Sequence, residues 1–332
     1  MVPKIFVGVD ISKLTLDVAL LYKDQPVRSF KINNSEDDIK QLLALLKEEY
    51  GYKPREIVFC AEHMGIYAQF LTTVLARKKM ALYLETPLQI KRSLGIQRGK
   101  NDKLDAIRIA RYVKKHYLNM KEWEAPRDCV KQLKALYAIR KRLLKIKKML
   151  VTPGKVSNYY IPKTDSLYFD HFYLSSTQSV IGDIESIEKK MKGIIEGDDK
   201  LDHYFKLITS VPRIGPVIAI QMLVYTNEFR DISCPKKIAS FCGIAPFEYR
   251  SGTSLTGKAR VSYLANQEIK PNLHLAALGV TRMRGTFLND YYMRKVAEGK
   301  NKMAILNAIR NKLIHRIFSC IHRDTIYVDI DV

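Results

Sequence analysis

The chain has 332 residues, 47% of them hydrophobic, which suits two or three domains with real cores and excludes wholesale disorder. Its 56 lysines and arginines against 34 aspartates and glutamates leave a formal charge of +22. A polyanionic partner relieves such self-repulsion, DNA or RNA first and an acidic membrane second. The cysteines, Cys60, Cys129, Cys234, Cys242 and Cys320, are scattered and form no CxxC pair. That argues against a disulfide framework or a structural zinc site and fits a reducing compartment. The opening MVPKIFVGVDISK lacks a signal peptide's apolar run, and no stretch of roughly 18 apolar residues marks a membrane span. A cytoplasmic location with no membrane partner is expected.

In chain order, residues 4–10 read as a strand, with Ile5, Val7 and Val9 on one side and Phe6, Gly8 and Asp10 on the other. Further strands are predicted over Leu14–Tyr22 and Val27–Ile32. Asn33-Asn34-Ser35 signals a turn and helix cap before a helix over Ile39–Tyr50. EIVFCA is a buried-type strand, Ile66–Lys79 a helix, and Ala81–Glu85 a strand stopped by Thr86-Pro87; helices follow over Leu88–Leu94 and Lys103–His116. Three hairpin-like strands, then helix and strand in alternation, is the RNase H-like α/β order and not the Rossmann order.

Residues 122–151 read as one long helix, apolar at Leu133, Leu136, Ile139, Leu143, Ile146 and Leu150. Its other face carries Arg140, Lys141, Arg142, Lys145, Lys147 and Lys148, either a solvated face or a nucleic-acid contact. Pro153-Gly154 is expected to end it, and a Ser-, Tyr- and Thr-rich loop to run to about Thr177. A helix over Ile181–Ile195 is expected to pair back as an antiparallel coiled coil. From Leu207 the chain is globular again. Pro212-Arg213-Ile214-Gly215-Pro216 resembles a helix-hairpin-helix turn, whose Arg213, Gly215 and free helix amides suit a DNA phosphate; it reads equally well as a tight turn between core helices. The tail, Met303–Ile321, is a basic amphipathic helix.

Four carboxylates fall at informative points of this order. Asp10 and Glu62 end neighbouring strands, while Asp102 and Asp105 open a helix three residues apart and share one face. Two Mg²⁺ or Mn²⁺ ions acting on a phosphodiester need several hard oxygen ligands of this kind. Each acid also has a plain reading. Asp10 can cap a turn, Asp102 can be a helix N-cap, Asp105 can pair with Arg108, and Glu62 can meet a lysine. Asp17, in mid-strand, reads as a supporting residue.

The segments FVGVDISKLTLDVAL, CAEHMGIY, GKNDKLDAIRIARY, SVPRIGPVIAI, FCGIAPFEYRSG and YYMRKVAEGK, in this order over nearly the whole chain, resemble the DEDD transposases of the insertion sequence 110 family, relatives of the Piv-type DNA invertases. The resemblance implies a RuvC-type domain over 1–120 with Asp10, Glu62, Asp102 and Asp105 as its metal-binding acids. It implies a coiled-coil arm over 121–205 that brings subunits together as a homodimer or homotetramer, and a mainly α transposase domain over 206–332. In that last domain Ser251 matches the serine that attacks double-stranded DNA, with Ser254 a nearby competitor. A serine hydroxyl needs an activator, and no histidine is near in sequence, so the resemblance points to the acidic metal site. Some members of the family are guided by a structured bridge RNA. Two departures stand out: Asn101 replaces the usual threonine, and VSYLANQEIKPNLH replaces a Gly-Asn and arginine-rich stretch after the serine. A hydrolytic nuclease without the serine step, or a non-catalytic relative, remains the alternative at this point.

Overall fold

The computed structural model describes residues 3–22, 25–93, 101–160, 163–251 and 255–328, which divide into two compact units, Met1–Ala125 and Pro126–Val332. The first unit is a five-stranded sheet of β1 (Ile5–Ile11), β2 (Thr15–Tyr22), β3 (Gln25–Asn33), β4 (Ile57–Glu62) and β5 (Ala81–Glu85), in the order β3-β2-β1-β4-β5. The first three strands are antiparallel; β4 and β5 run parallel to β1. This is the RNase H-like topology, a mixed sheet with a parallel half built by crossovers.

Strand period decides the two faces. Ile5, Val7, Val9, Ile57 and Phe59 pack under α1 (Glu36–Tyr50) and α2 (Gln69–Arg77). Phe6, Val58, Cys60 and Tyr83 lie on the opposite face, under α3 (Pro87–Ser93) and α4 (Asp102–His116). Helix α1 begins where the sequence signals it: Ser35 is extended and accepts from the Asp38 N–H, and Gly51 closes the helix at φ 56°.

In the second unit, α5 (Asp128–Tyr160) and α6 (Lys163–Glu196) pack antiparallel. Val130 and Leu133 share a core with Ile195 and Met191, and Arg140 reaches Glu188 at 2.7 Å. The expected helix end at Pro153-Gly154 and the loop to Thr177 are therefore wrong. Helix α5 runs through the proline and glycine, and α6 begins at Lys163. A proline costs a helix roughly 3 kcal/mol locally, and tertiary pairing overrides local preference. The apolar stripe is not sealed along its whole length, since Ile139 and Ile146 are exposed, as are Leu144 and Met149 elsewhere on the helix.

The rest of the unit is helical: α7 (Asp199–Thr209), α8 (Pro216–Thr226), α9 (Pro235–Phe241), α10 (Ile269–Val280), α11 (Phe287–Ala297) and α12 (Lys302–Arg323), interrupted by the hairpin β6 (Phe247–Ser251) and β7 (Leu255–Arg260). Helix α12 is its axis, burying Ile309, Leu313, Ile314, Ile317 and Phe318. One apolar core runs from Val130 on α5 through Met222 on α8 to Phe318, so the arm and the C-terminal helices are built on shared packing. Among the described residues, no helix is long and apolar enough to cross a membrane, and the five cysteines are free.

Candidate functional site: an acidic sheet edge and a serine hairpin

Asp10 lies on β1 directly opposite Asp17 of β2, and Glu62 of β4 lies opposite Glu85 of β5. Gly8 registers with Cys60, so Asp10 and Glu62 follow two residues later on the same face of adjacent strands. The result is a row of acids, Asp17, Asp10, Glu62 and Glu85, across four neighbouring strands at one end of the sheet. All four are half-buried.

Helix α4 covers this face. A Cβ on Gly8 would stand 2.1 Å from the Ala106 carbonyl oxygen and 2.3 Å from the Ala110 nitrogen, so only glycine lets the helix backbone lie on β1 there. Phe6, earlier on β1, meets Tyr117, just past the end of α4, at 5.5 Å between ring centres. The helix thus runs against the strand direction, and its first turn, with Asp102 and Asp105, lies toward the strand end that bears Asp10. Asn101 is the N-cap, accepting from the Lys103 N–H at 3.0 Å. Asp102 is therefore the first helical residue and not the cap, and Asn101 performs the capping that a threonine would.

The first turn of α4 gains from negative charge at a helix N-terminus. Asp105 is held by Arg108 at 2.5 Å, the pairing that their spacing of three on a helix predicts. Lys31 reaches Asp17 at 3.7 Å. Glu85, which sequence reasoning passed over, accepts from the Tyr112 hydroxyl at 3.1 Å and from the Thr86 N–H at 2.9 Å. Burial, then the charge of Glu85, pushes the Tyr112 hydroxyl up to about 12. The Cys60 thiol is pushed up by burial, then by Glu85 and Glu62, which puts both carboxylates in electrostatic reach of one buried sulfur. The signal that could have found Glu85 is that two parallel strands both end on glutamate.

The donor set is all hard carboxylate oxygen, the chemistry of Mg²⁺ or Mn²⁺ and not of zinc. The acids share a face and an edge. Among the described residues no three His, Cys, Asp or Glu side chains already close into a metal-holding group. Asp105, a quarter exposed, has to turn from Arg108 to join them. The residues fit a divalent cation by donor type.

In the second unit, Ser251 is the last residue of β6 and registers with Leu255 across the hairpin. Ser254 lies outside the described residues. Part of the segment VSYLANQEIKPNLH packs into the core: Asn266 N–H bonds the Phe241 carbonyl at 2.7 Å, and Ile269 and Leu273 are fully buried. Of the basic residues expected on α5, Arg140 is engaged by Glu188 and Lys141 by Glu268 at 2.5 Å. Arg142, Lys145, Lys147 and Lys148 have no ion pair among the described residues. On α12, Lys312 and Arg316 lie over the rings of Tyr291 and Tyr327, each at 4.9 Å.

The turn before α8 has Gly215 as N-cap and Pro216 as first helical residue. Arg213, at φ 64°, is exposed, and its side chain lies along Gly279. These residues, with Arg140 and Lys141, line an open groove of about 530 Å³. Helix α8 itself is buried almost throughout, as a core helix is.

A DEDD-type "Transposase" model of the IS110 group matches residues 7–150, and the model described as "Transposase IS116/IS110/IS902 family" matches 205–293. The pilin gene-inverting proteins of Moraxella bovis and of Moraxella lacunata are each 25% identical over 327 residues, covering 97% of this chain and 97% of theirs. Among solved structures, T. thermophilus RuvC in complex with a Holliday junction substrate overlaps 36% of this chain and 99% of its own at 12% identity and a TM-score of 0.29, too low to add to what strand order already gives.

Proposed function

The chain belongs to the insertion sequence 110 family of transposases, enzymes that recombine DNA, and from that premise we propose that it exchanges DNA strands through a serine–DNA link supported by a carboxylate-held divalent metal. The observation that carries the metal half is the acid row on one sheet face, with the first turn of α4 running toward it. Asp10, Glu62, Asp102 and Asp105 are the proposed ligands of Mg²⁺ or Mn²⁺. When bound, such a cation supplies charge neutralisation at a phosphate and lowers the pKa of an oxygen it touches.

Ser251 is the proposed nucleophile. Its Oγ attacks phosphorus, forming an Oγ–P bond, breaking one P–O bond to deoxyribose, and releasing that oxygen as a hydroxyl; the serine proton balances the leaving oxygen. Attack by a hydroxyl from another strand then breaks the Oγ–P bond, forms the new phosphodiester, and returns the proton to Ser251, which completes the exchange. One phosphodiester is made for each one broken, so no nucleotide cofactor is required. The position of Ser251 at the end of a hairpin strand supports this reading, because binding and catalytic residues concentrate where a rigid element passes into a connecting segment.

The net charge of +22 and the unpaired cations of α5 support nucleic acid along the arm, and we extend this to a structured bridge RNA beside the double-stranded DNA. RNase treatment of the purified complex should then abolish target choice; recombination indifferent to RNase would refute the RNA partner. The exposed apolar residues Ile139, Leu144, Ile146 and Met149 support self-association of the arm into a homodimer or homotetramer. The central experiment is a suicide substrate trapped with wild type and with Ser251→Ala. Wild type should give a denaturation-resistant protein–DNA adduct mapping to the peptide with Ser251, and the variant none. An adduct on Ser254 would move the role there. Normal cleavage by the alanine variant with no adduct would make the enzyme a hydrolytic nuclease.

A further inference from the structure

Arg310, on α12, is only 5% exposed, yet among the described residues no carboxylate pairs with it. Among the described residues its one hydrogen bond runs from Nε to the Leu306 carbonyl at 3.4 Å, within its own helix. Burial pulls the guanidinium below its ordinary pKa, with no anion opposing the shift. Burying a cation without a partner costs several kcal/mol, and a methionine of similar length would serve packing better. Arg127 marks the contrast, since it engages both Asp198 and Glu228.

A second basic side chain stands near Arg310. His274, on α10, has its Nδ1 sealed from solvent with no hydrogen-bond partner. Burial, then the charge of Arg310, lowers its pKa. One turn earlier on α10, the Lys270 Nζ lies 3.9 Å from where a Gly243 Cβ would stand. Asn307, one turn before Arg310, donates to the Ile244 carbonyl at 2.8 Å. Glu268, the residue before α10, is taken by Lys141 and Tyr225. Lys270 thus stands beside Gly243, a few residues before β6 and Ser251, and shares a face of α10 with His274, four residues on, which feels the charge of Arg310 from α12. Two of them belong to the segment that departs from the family pattern.

We propose that Lys270, His274 and Arg310 form an anion site that holds a backbone phosphate of the DNA strand offered to Ser251. The proposal rests on the serine reading for the identity of the strand. The planar guanidinium fork matches two phosphate oxygens, and the site is built before the ligand arrives. Held there, a phosphate fixes the strand's register against the hairpin and carries no sequence information.

Arg310→Met in the full-length chain separates a binding role from a packing role. If the arginine serves the phosphate, the variant is at least as stable as wild type without DNA. Its affinity for duplex DNA then falls about tenfold, and the log–log salt slope becomes shallower by about 0.9, one phosphate's worth. Inorganic phosphate, against chloride at matched ionic strength, should raise the melting temperature of wild type more than that of the variant. Unchanged DNA affinity and salt slope overturn the proposal, as does a loss confined to RNA binding. If Arg310→Met does not fold, His274→Gln decides: an undiminished phosphate-dependent shift and undiminished DNA affinity overturn the site. The phosphate shift does not depend on covalent chemistry, so a Ser251→Ala enzyme that still forms adducts would sink the serine reading and leave this result standing.

Discussion

In the N-terminal unit Asp17, Asp10, Glu62 and Glu85 stand in a row across four strands; in the C-terminal unit Asp198 and Glu228 converge on one arginine. The second group is matched bond for bond. Arg127 reaches both oxygens of Asp198 at 2.7 and 2.8 Å and both oxygens of Glu228 at 2.6 and 2.9 Å. Arg230 lies 3.1 Å from Glu228, whose side chain is fully buried. The cluster ties the start of α5 to the cap of α7 and to the turn after α8. Asp10 against Asp17 and Glu62 against Glu85 are, by contrast, in-register pairs of like charge, which a sheet disfavours. A fully matched cluster is what a fold needs to hold itself together. A row of like charge goes against the local rule, and such breaches gather at functional sites.

The sharpest test of that contrast is Asp102→Asn. Asp102 is exposed and adds only a modest helix-terminus contribution, roughly 0.3–1 kcal/mol. Strand exchange should fall by about a hundredfold or more, the scale of losing one preorganised electrostatic contact. Unfolding by urea should barely move. Normal recombination by the variant would remove Asp102 from the proposed metal site and blunt the comparison.

Arg127→Leu tests the other side. It leaves Glu228 buried with weaker partners, and removing one member of such a cluster costs about 3–5 kcal/mol. The pH dependence has a definite sign. Arg127, by hydrogen bonding, holds the Asp198 carboxyl below its ordinary 3.8, so the folded pKa lies below the unfolded one. The associated stability is present above that ordinary value and is lost as pH falls through the folded pKa. The gap between wild type and variant in denaturant midpoint should therefore shrink on acidification below 3.8. A gap constant across that range would show that Asp198 draws nothing from Arg127.

A third variant joins packing to chemistry. Gly8→Ala sets a methyl against the backbone of α4, which cannot swing aside as a side chain can. Overpacking of this kind costs about 1–3 kcal/mol and moves α4 away from the sheet. Metal-dependent activity should fall further than stability does, because the first turn of α4 carries two of the proposed ligands. An alanine variant with wild-type stability and activity would mean that α4 need not touch β1 for the site to work.

Much of this edge is legible in the amino-acid sequence. Alternation along IFVGVD assigns Asp10 to the face opposite Val9, and EIVFCAE does the same for Glu62, because strand period is local. Glu85 escapes although its strand is placed correctly, since one acid before Thr-Pro resembles any strand end. The run through Pro153-Gly154 escapes for the opposite reason: strong local breakers are overruled by pairing between α5 and α6, which no short window contains. Arg310 reads as part of a basic helix. Its burial shows only when Leu306 and Leu313 are aligned with it on one face of α12.

The smallest expected effect concerns Asn101. The side chain of this residue accepts from the Lys103 N–H, and its carbonyl receives the Asp105 N–H at 2.9 Å. Both contacts fix the turn from which Asp102 and Asp105 project. Asn101→Ala removes the side-chain acceptor and should cost about 1 kcal/mol. Asn101→Thr, which restores the residue usual in the family, keeps an acceptor and should stay within a few tenths of a kcal/mol. If the cap serves only helix stability, activity in both variants should follow the denaturant midpoint. If it also aims the two aspartates, the alanine variant should need more Mg²⁺ for half-maximal strand exchange, and the threonine variant should not. An unchanged Mg²⁺ requirement in the alanine variant, with α4 measurably destabilised, would leave Asn101 as a helix cap and remove it from the account of the metal site.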